Sequence, residues 1–247
     1  MSVKIHRVLN RILPASVRSA GRNLAVAMIP SMRHLDMPCR LRHLRHVGIK
    51  PTVILDIGSA SGEWARMANG IWPEAKIFGF EPNAREVPAL ETTKQELGVF
   101  EYFRCFLGPE AKVVNYVDSK TQTSLFAEVQ PDATDQASMR VLDQMLAEGQ
   151  ILQPQLIKLD VQGFELEVLK GATRLMERVE VAIMEISFAP FHSGMPIVND
   201  VVAFMQARGF VWYDIISALR RPKDDRLMQI DAIFVREGNP LLDSRWE

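Results

Sequence analysis

The chain has 247 residues, 47% of them hydrophobic and 24% charged, an ordinary globular composition that suits one large α/β domain better than two small ones. A net charge of -1 argues against nucleic acid as the main partner, and two cysteines (Cys39 and Cys105) without a CxxC pair argue against a disulfide framework or a structural zinc site. The average conceals an asymmetry: residues 1–50 hold ten Lys and Arg against one acid, Asp36, so of the chain's 29 bases and 30 acids the rest carries 19 and 29.

In chain order, residues 3–29 scatter apolar positions among basic ones, which reads as one or two amphipathic helices broken near Pro14 and Pro30. A clearer helix follows at about 37–47: Asp36 is the N-cap, Pro38 sits in the first turn, Leu41, Leu44 and Val47 share a face, and Gly48 stops it. Residues 1–47 are therefore expected to form a basic helical segment, and 48–247 the main α/β domain. The basic segment is expected to cap the domain, to self-associate, or to touch an anionic membrane surface peripherally. No apolar run approaches the length of a membrane span, so the expectation is a cytoplasmic protein, with the inner face of the membrane as a possible docking place.

From residue 51, strands and helices alternate. TVILDIG, KIFGFEP, VFEYFRC, QLIKLDV and VEVAIMEIS read as strands; EWARMANGIW, AREVPALETTKQELG, FELEVLKGATRLMER and IVNDVVAFMQARG read as helices. KVVNYVD reads as an extra strand and ASMRVLDQMLAEG as a short helix. FVWYDII and QIDAIFVRE close the chain with no helix between them, which predicts an antiparallel pair on an otherwise parallel sheet covered on both faces.

The strongest chemical signal is VILDIGSASGEW, residues 53–64, a buried strand that ends in Asp56 and turns through Gly58 and Gly62 into a helix. Glu81 ends the next strand, where a carboxylate accepts hydrogen bonds from ribose hydroxyls in a doubly wound sheet. Nicotinamide enzymes use G-x-G-x-x-G to seat a pyrophosphate on a helix N-terminus. Here Asp56 precedes G-x-x-x-G. An acid beside the glycines suits a sulfonium and an amino group, which points to S-adenosylmethionine.

VILDIGSASGEW, FGFEPN, LIKLDVQGFELEVLKGA and VAIMEIS together resemble the FkbM-type methyltransferases over about residues 48–236. The resemblance implies a Rossmann-like class I fold with a seven-stranded sheet, the last strand antiparallel, and O-methylation of a sugar, glycan or small-molecule hydroxyl. The closing RRPKDDRLMQIDAIFVRE is similar to a tail of members linked to polysaccharide biosynthesis. By the resemblance, Asp56, Gly58, Ser61, Gly62 and Trp64, with Ser59 in the same turn, line the methionine side of the cofactor. Glu81 holds the ribose, Pro82 and Asn83 shape the adenosine end, and Phe106 flanks adenine. The chain departs from the family's common pattern at Ala60, often Asn, and at Gln162, often Glu.

Methyl transfer needs an acceptor oxygen aligned behind the methyl group, and a base within hydrogen-bond reach adds roughly 10²–10⁴-fold. Candidates lie at the carboxyl ends of the central strands: Asp160 and Glu185 as the polar pair nearest the acceptor, His192 as an alternative base, and Lys158 beside them. Asp231 is expected to be a buried charge near the site, partnered by Arg220 or Arg221, and Ser124 to reach the substrate. Glu165 and Glu167 are expected to serve the N-terminal dipole of their helix. Asp160, Glu185 and Asp231 are also hard oxygen ligands, which leaves divalent-metal dependence open. Two other readings stay on the table: a nicotinamide-dependent oxidoreductase on the same sheet, and a catalytically inactive scaffold of a glycan-assembly complex.

Overall fold

The computed structural model describes residues 36–118, 123–124, 135–243 and 245. The helices expected within residues 3–29 lie outside them. Inside the sheet lies β1 (Val53–Ile57), five residues buried on both faces, as an interior parallel strand requires. Around it stand β2 (Lys76–Phe80), β3 (Phe100–Phe103), β8 (Leu156–Leu159), β9 (Val181–Ser187), β10 (Phe210–Arg220) and β11 (Leu227–Arg236) in the order β10-β11-β9-β8-β1-β2-β3. All neighbours pair parallel except β11, which runs antiparallel to both β9 and β10. A second, smaller sheet joins β4 (Phe106–Leu107), β7 (Asp135–Arg140), β5 (Lys112–Asp118) and β6 (Thr123–Ser124).

Two apolar layers sandwich the large sheet. On one face α1 (Met37–His46), α2 (Glu63–Ile71) and α3 (Val87–Leu97) lay Leu41, Leu44, Ala65, Ala68 and Leu90 over Ile54, Leu156, Ile183 and Ile233. On the other, α4 (Leu142–Ala147), α5 (Glu165–Lys170), α6 (Thr173–Met176) and α7 (Val198–Gln206) cover Leu55, Ile157, Ala182 and Phe234. The alternation of these strand residues, two apart on each face, is what the strand period demands.

Helix α1 begins as its sequence indicates: the Asp36 carboxylate accepts from the Cys39 N–H at 3.1 Å, Pro38 occupies the first turn, and Gly48 follows at φ 108°. Its Leu41 and Leu44 are fully buried, and the Arg40 guanidinium pairs with Asp214 of β10. Because Leu44 fills a closed core, Leu44→Ala is expected to destabilise the fold by about 2–5 kcal/mol in chemical denaturation. A loss below about 1 kcal/mol, the scale of a surface site, would mean that α1 is not clamped onto the sheet.

Two segments depart from the sequence reading. The helix expected over 137–149 begins only at Leu142, because residues 137–140 complete β7. Met139 of that strand is drawn into a core with Phe106 and Tyr116, and β7 pairs with β5 and β4. The helix expected over 164–178 is broken into α5 and α6 at Gly171, where a β-carbon would lie 2.2 Å from the Gly108 carbonyl oxygen. Asp143 restarts it from outside, its carboxylate accepting from the N–H groups of Arg174 at 2.9 Å and Leu175 at 2.8 Å.

Candidate active site

One face of the sheet changes character at the carboxyl ends of its strands. Asp56 follows Ile54, Lys158 follows Leu156 and Glu185 follows Ile183, each two residues on and so on the same face. Because β11 is antiparallel, its early residue Asp231 reaches the same end. Register sets Asp56 beside Lys158, Glu185 beside Asp231, and Asp231 beside Ser217.

The turn after β1 is built by backbone contacts. The N–H groups of Gly58 and Ser59 both donate to the Phe80 carbonyl, at 3.0 and 3.1 Å. Ser59 is buried; its hydroxyl donates to the Asp56 carbonyl at 2.6 Å and accepts from the Phe80 N–H at 2.9 Å, tying the tips of β1 and β2 together. Ala60 stands exposed in the left-handed region at φ 44°, and its N–H donates to Glu81 Oε2 at 2.9 Å. Gly62, at φ 82°, caps α2, and a β-carbon there would meet the Thr93 hydroxyl at 2.6 Å. Ser61 beside it is half-buried.

Glu81 is held at both oxygens, since the Asn83 N–H donates to Oε1 at 2.9 Å. Burial pushes its carboxyl above the usual range, against the pull of those two N–H groups. Pro82 is half-buried, and the Asn83 side chain caps the following turn by accepting from the Arg85 N–H at 2.9 Å. Trp64 is packed into the core with Leu41 and Leu44, and Phe106 stacks edge-on against Tyr116, ring centroids 5.2 Å apart. Ser124 belongs to the small sheet, where its backbone pairs with Val117.

Lys158 is the hub of the polar face. It is buried, its Nζ donates to the Gly58 carbonyl at 2.9 Å, and it stands 3.5 Å from Asp56 and 3.4 Å from Asp160. Burial alone would lower its ammonium; Asp56 and Asp160 reverse that and leave it above its ordinary value. Asp56 is fully buried, among the described residues only the Lys158 ammonium faces its carboxylate, and burial, opposed by Lys158, raises it to about 6.

Gln162, in the left-handed region at φ 55°, donates from Nε2 to Asp160 at 3.0 Å and to Glu185 at 3.2 Å. Gln229 donates to the same Glu185 oxygen at 2.7 Å. Burial, then the charges of Asp160, Asp231 and Glu165, push Glu185 up to about 8. Glu165 is buried and turned back on the loop, accepting from the N–H groups of Val161 at 3.0 Å and Gly163 at 3.1 Å; burial raises it to about 7. Glu167 instead pairs with Lys170. His192 brings Nε2 to 3.4 Å from the Gln162 carbonyl.

Asp231 accepts from the Ser217 hydroxyl, and burial raises its carboxyl. The expected arginine partners are elsewhere: Arg220 and Arg221 lie by the hairpin turn and pair with Asp225 and Asp224. Among the described residues no three His, Cys, Asp or Glu side chains are gathered in a metal-holding arrangement. Among them, too, no helix is long and apolar enough to cross a membrane. Sequence reasoning passed over Gln229 and Ser217; the signal for Gln229 was its two-residue spacing from Asp231 on an otherwise apolar strand.

The sheet order, with an antiparallel strand inserted before the edge, defines a Rossmann-like fold of the class I methyltransferase type. The family model of the methyltransferase FkbM domain matches residues 56–212, and the chain belongs to that family. It is 28% identical over 135 residues to a hexuronic acid methyltransferase, AglP, of Haloferax volcanii, the match covering 54% of this chain and 55% of the relative. The chain thus matches about half the length of that relative. Among solved structures it is similar to the 1,6-didemethyltoxoflavin-N1-methyltransferase of Burkholderia thailandensis (10% identity, 91% of each chain covered, TM-score 0.46). It is also similar to a precorrin-6y C5,15-methyltransferase of Geobacter metallireducens (12% identity, 80% of this chain and 86% of that one, TM-score 0.44).

Proposed function

We propose that the chain is an S-adenosylmethionine-dependent O-methyltransferase acting on a hydroxyl of a sugar or small-molecule acceptor. The observation that carries this reading is the charge of the polar face: Asp56 and Asp160 flank one ammonium, Lys158, beside the glycine turn, and Glu185 and Asp231 stand paired on the neighbouring strands. Such a lining suits a cationic nucleoside and opposes a pyrophosphate, which disfavours the nicotinamide alternative. The FkbM family and the resemblance to a hexuronic acid methyltransferase support methyl transfer, and the latter supports a sugar acceptor.

When bound, S-adenosylmethionine supplies a methyl group activated by its sulfonium. Glu81 would hold the ribose, its orientation fixed by the Ala60 and Asn83 N–H groups. The turn from Gly58 to Gly62, and the charge of Asp56 behind it, would receive the methionine portion. Lys158 keeps Asp56 and Asp160 from repelling each other, so both stay compact without a ligand. A carboxylate at the acceptor side takes the hydroxyl proton as the new oxygen–carbon bond forms.

Calorimetry with S-adenosylhomocysteine and with NAD tests the reading directly; binding of NAD alone would reverse it. In the same assay Glu81→Gln is expected to weaken S-adenosylhomocysteine by about 10- to 100-fold, the worth of a charge-assisted hydrogen bond. An unchanged affinity in that folded variant would remove Glu81 from the site.

A further inference from the structure

We infer that Glu185 is the general base of this site, and that Gln162 and Gln229 are positioning residues that present one of its two carboxylate oxygens to the acceptor. The inference rests on the methyltransferase reading above and assigns roles that it leaves open. Both amides converge on Oε1 of Glu185, from Gln162 at 3.2 Å and from Gln229 at 2.7 Å. No hydrogen bond from a described residue occupies Oε2. The two donors arrive from different elements, the loop after β8 and strand β11, so they fix the carboxylate plane as well as one of its atoms.

Asp160 is the competing base, and its surroundings differ. One of its oxygens accepts from the Gln162 amide and the other faces the Lys158 ammonium at 3.4 Å, so both are engaged by the chain. A carboxylate that stands among like charges is a good proton acceptor. Asp160, Asp231 and Glu165 face Glu185 from three separate elements, while Lys158 is the cation on that side. Gln162 reaches both acids, and its backbone at φ 55°, followed by Gly163 at φ 97°, is locked by the buried Glu165 carboxylate that accepts from the N–H groups on either side of it. The arrangement gives one carboxylate to charge balance and the other to proton transfer. In the step itself the acceptor O–H bond breaks and its proton passes to Glu185 Oε2. The oxygen's electron pair forms the bond to the methyl carbon, and the carbon–sulfur pair leaves with sulfur.

The test has a ligand-free arm and a catalytic arm, both on the full chain. Carboxyl carbon NMR of the ligand-free protein, with the Glu185 signal identified by its loss in Glu185→Gln, follows its titration directly. Gln162→Glu, nearly isosteric but anionic, is expected to move the Glu185 midpoint up by about one unit or more, and Gln162→Met to move it up by less. In labelled methyl transfer from S-adenosylmethionine to a cell-extract glycan fraction, the pH–rate profile should move with the NMR midpoint. Near pH 9.5, Glu185→Gln should lose roughly 10²-fold or more in rate while S-adenosylhomocysteine binding stays within about twofold. A Glu185 midpoint unmoved by both Gln162 variants, or a Glu185→Gln enzyme retaining half its rate, overturns the assignment. Failure of the unaltered protein to bind S-adenosylhomocysteine would instead sink the methyltransferase reading, a result the NMR arm does not depend on.

Discussion

Lys158→Met is expected to cost the fold about 3–5 kcal/mol near pH 8, and markedly less near pH 5. The side chain is buried between Asp56 and Asp160, and removing it leaves Asp56 fully enclosed, with no donor or cation beside its carboxylate among the described residues. The pH dependence follows from the direction of the shift. Burial already raises Asp56 to about 6 in the intact protein, with Lys158 holding it down; without that ammonium it rises further. A carboxyl raised on folding binds its proton more tightly in the native state. Its contribution is therefore favourable at acid pH and is lost as pH rises through the folded value. The penalty of the variant should thus grow between about pH 6 and pH 8, by up to about 1.4 kcal/mol per unit. The double variant Asp56→Asn/Lys158→Met removes the orphaned charge and should recover part of the loss and flatten the slope. Denaturant titrations across the pH range read all three; an identical loss at both ends would mean that the ion pair does not govern this buried site.

Much of the fold was legible because it is local and periodic. The buried run VILDI, the alternation of apolar strands with amphipathic helices, and the missing helix between the last two strands each express a preference of their own residues, and the sheet follows them. The misread segments are those whose structure is imposed from afar. Residues 137–140 are a strand because Phe106 and Tyr116 wait for Met139, and α6 exists because Asp143, from another helix, satisfies its first N–H groups. The same division holds at the polar face. That Asp56, Lys158, Asp160 and Glu185 sit at strand ends can be read from spacing alone. That Asp231 meets Ser217 rather than an arginine depends on the β10–β11 register, which shifts at irregularities invisible in the sequence. Gln162 draws its meaning from a left-handed backbone that no propensity predicts for glutamine.

Gly58, expected by the resemblance to line the cofactor, is also required by the chain itself. A β-carbon there would lie 2.0 Å from the Asp160 carbonyl oxygen and 2.9 Å from its carbon, both backbone atoms with nowhere to retreat. The residue also sits at φ 78°, where any side chain adds about 1–2 kcal/mol of strain. Moving either strand tip breaks what joins them: the Gly58 N–H to Phe80, the Asp160 N–H to Ile57, and the Lys158 ammonium to the Gly58 carbonyl. Gly58→Ala is therefore expected to lower stability by about 3 kcal/mol or more, or to prevent folding altogether. Gly70, near the end of α2, supplies the control: a β-carbon there meets nothing within 4 Å, so Gly70→Ala should be neutral or stabilising by up to about 1 kcal/mol. Thermal unfolding of the pair separates a glycine demanded by crowded backbone from one that merely sits in a helix. A Gly58→Ala protein that melts with the parent would show that the tips of β1 and β8 do not approach so closely, and would loosen the floor on which the acidic cluster stands.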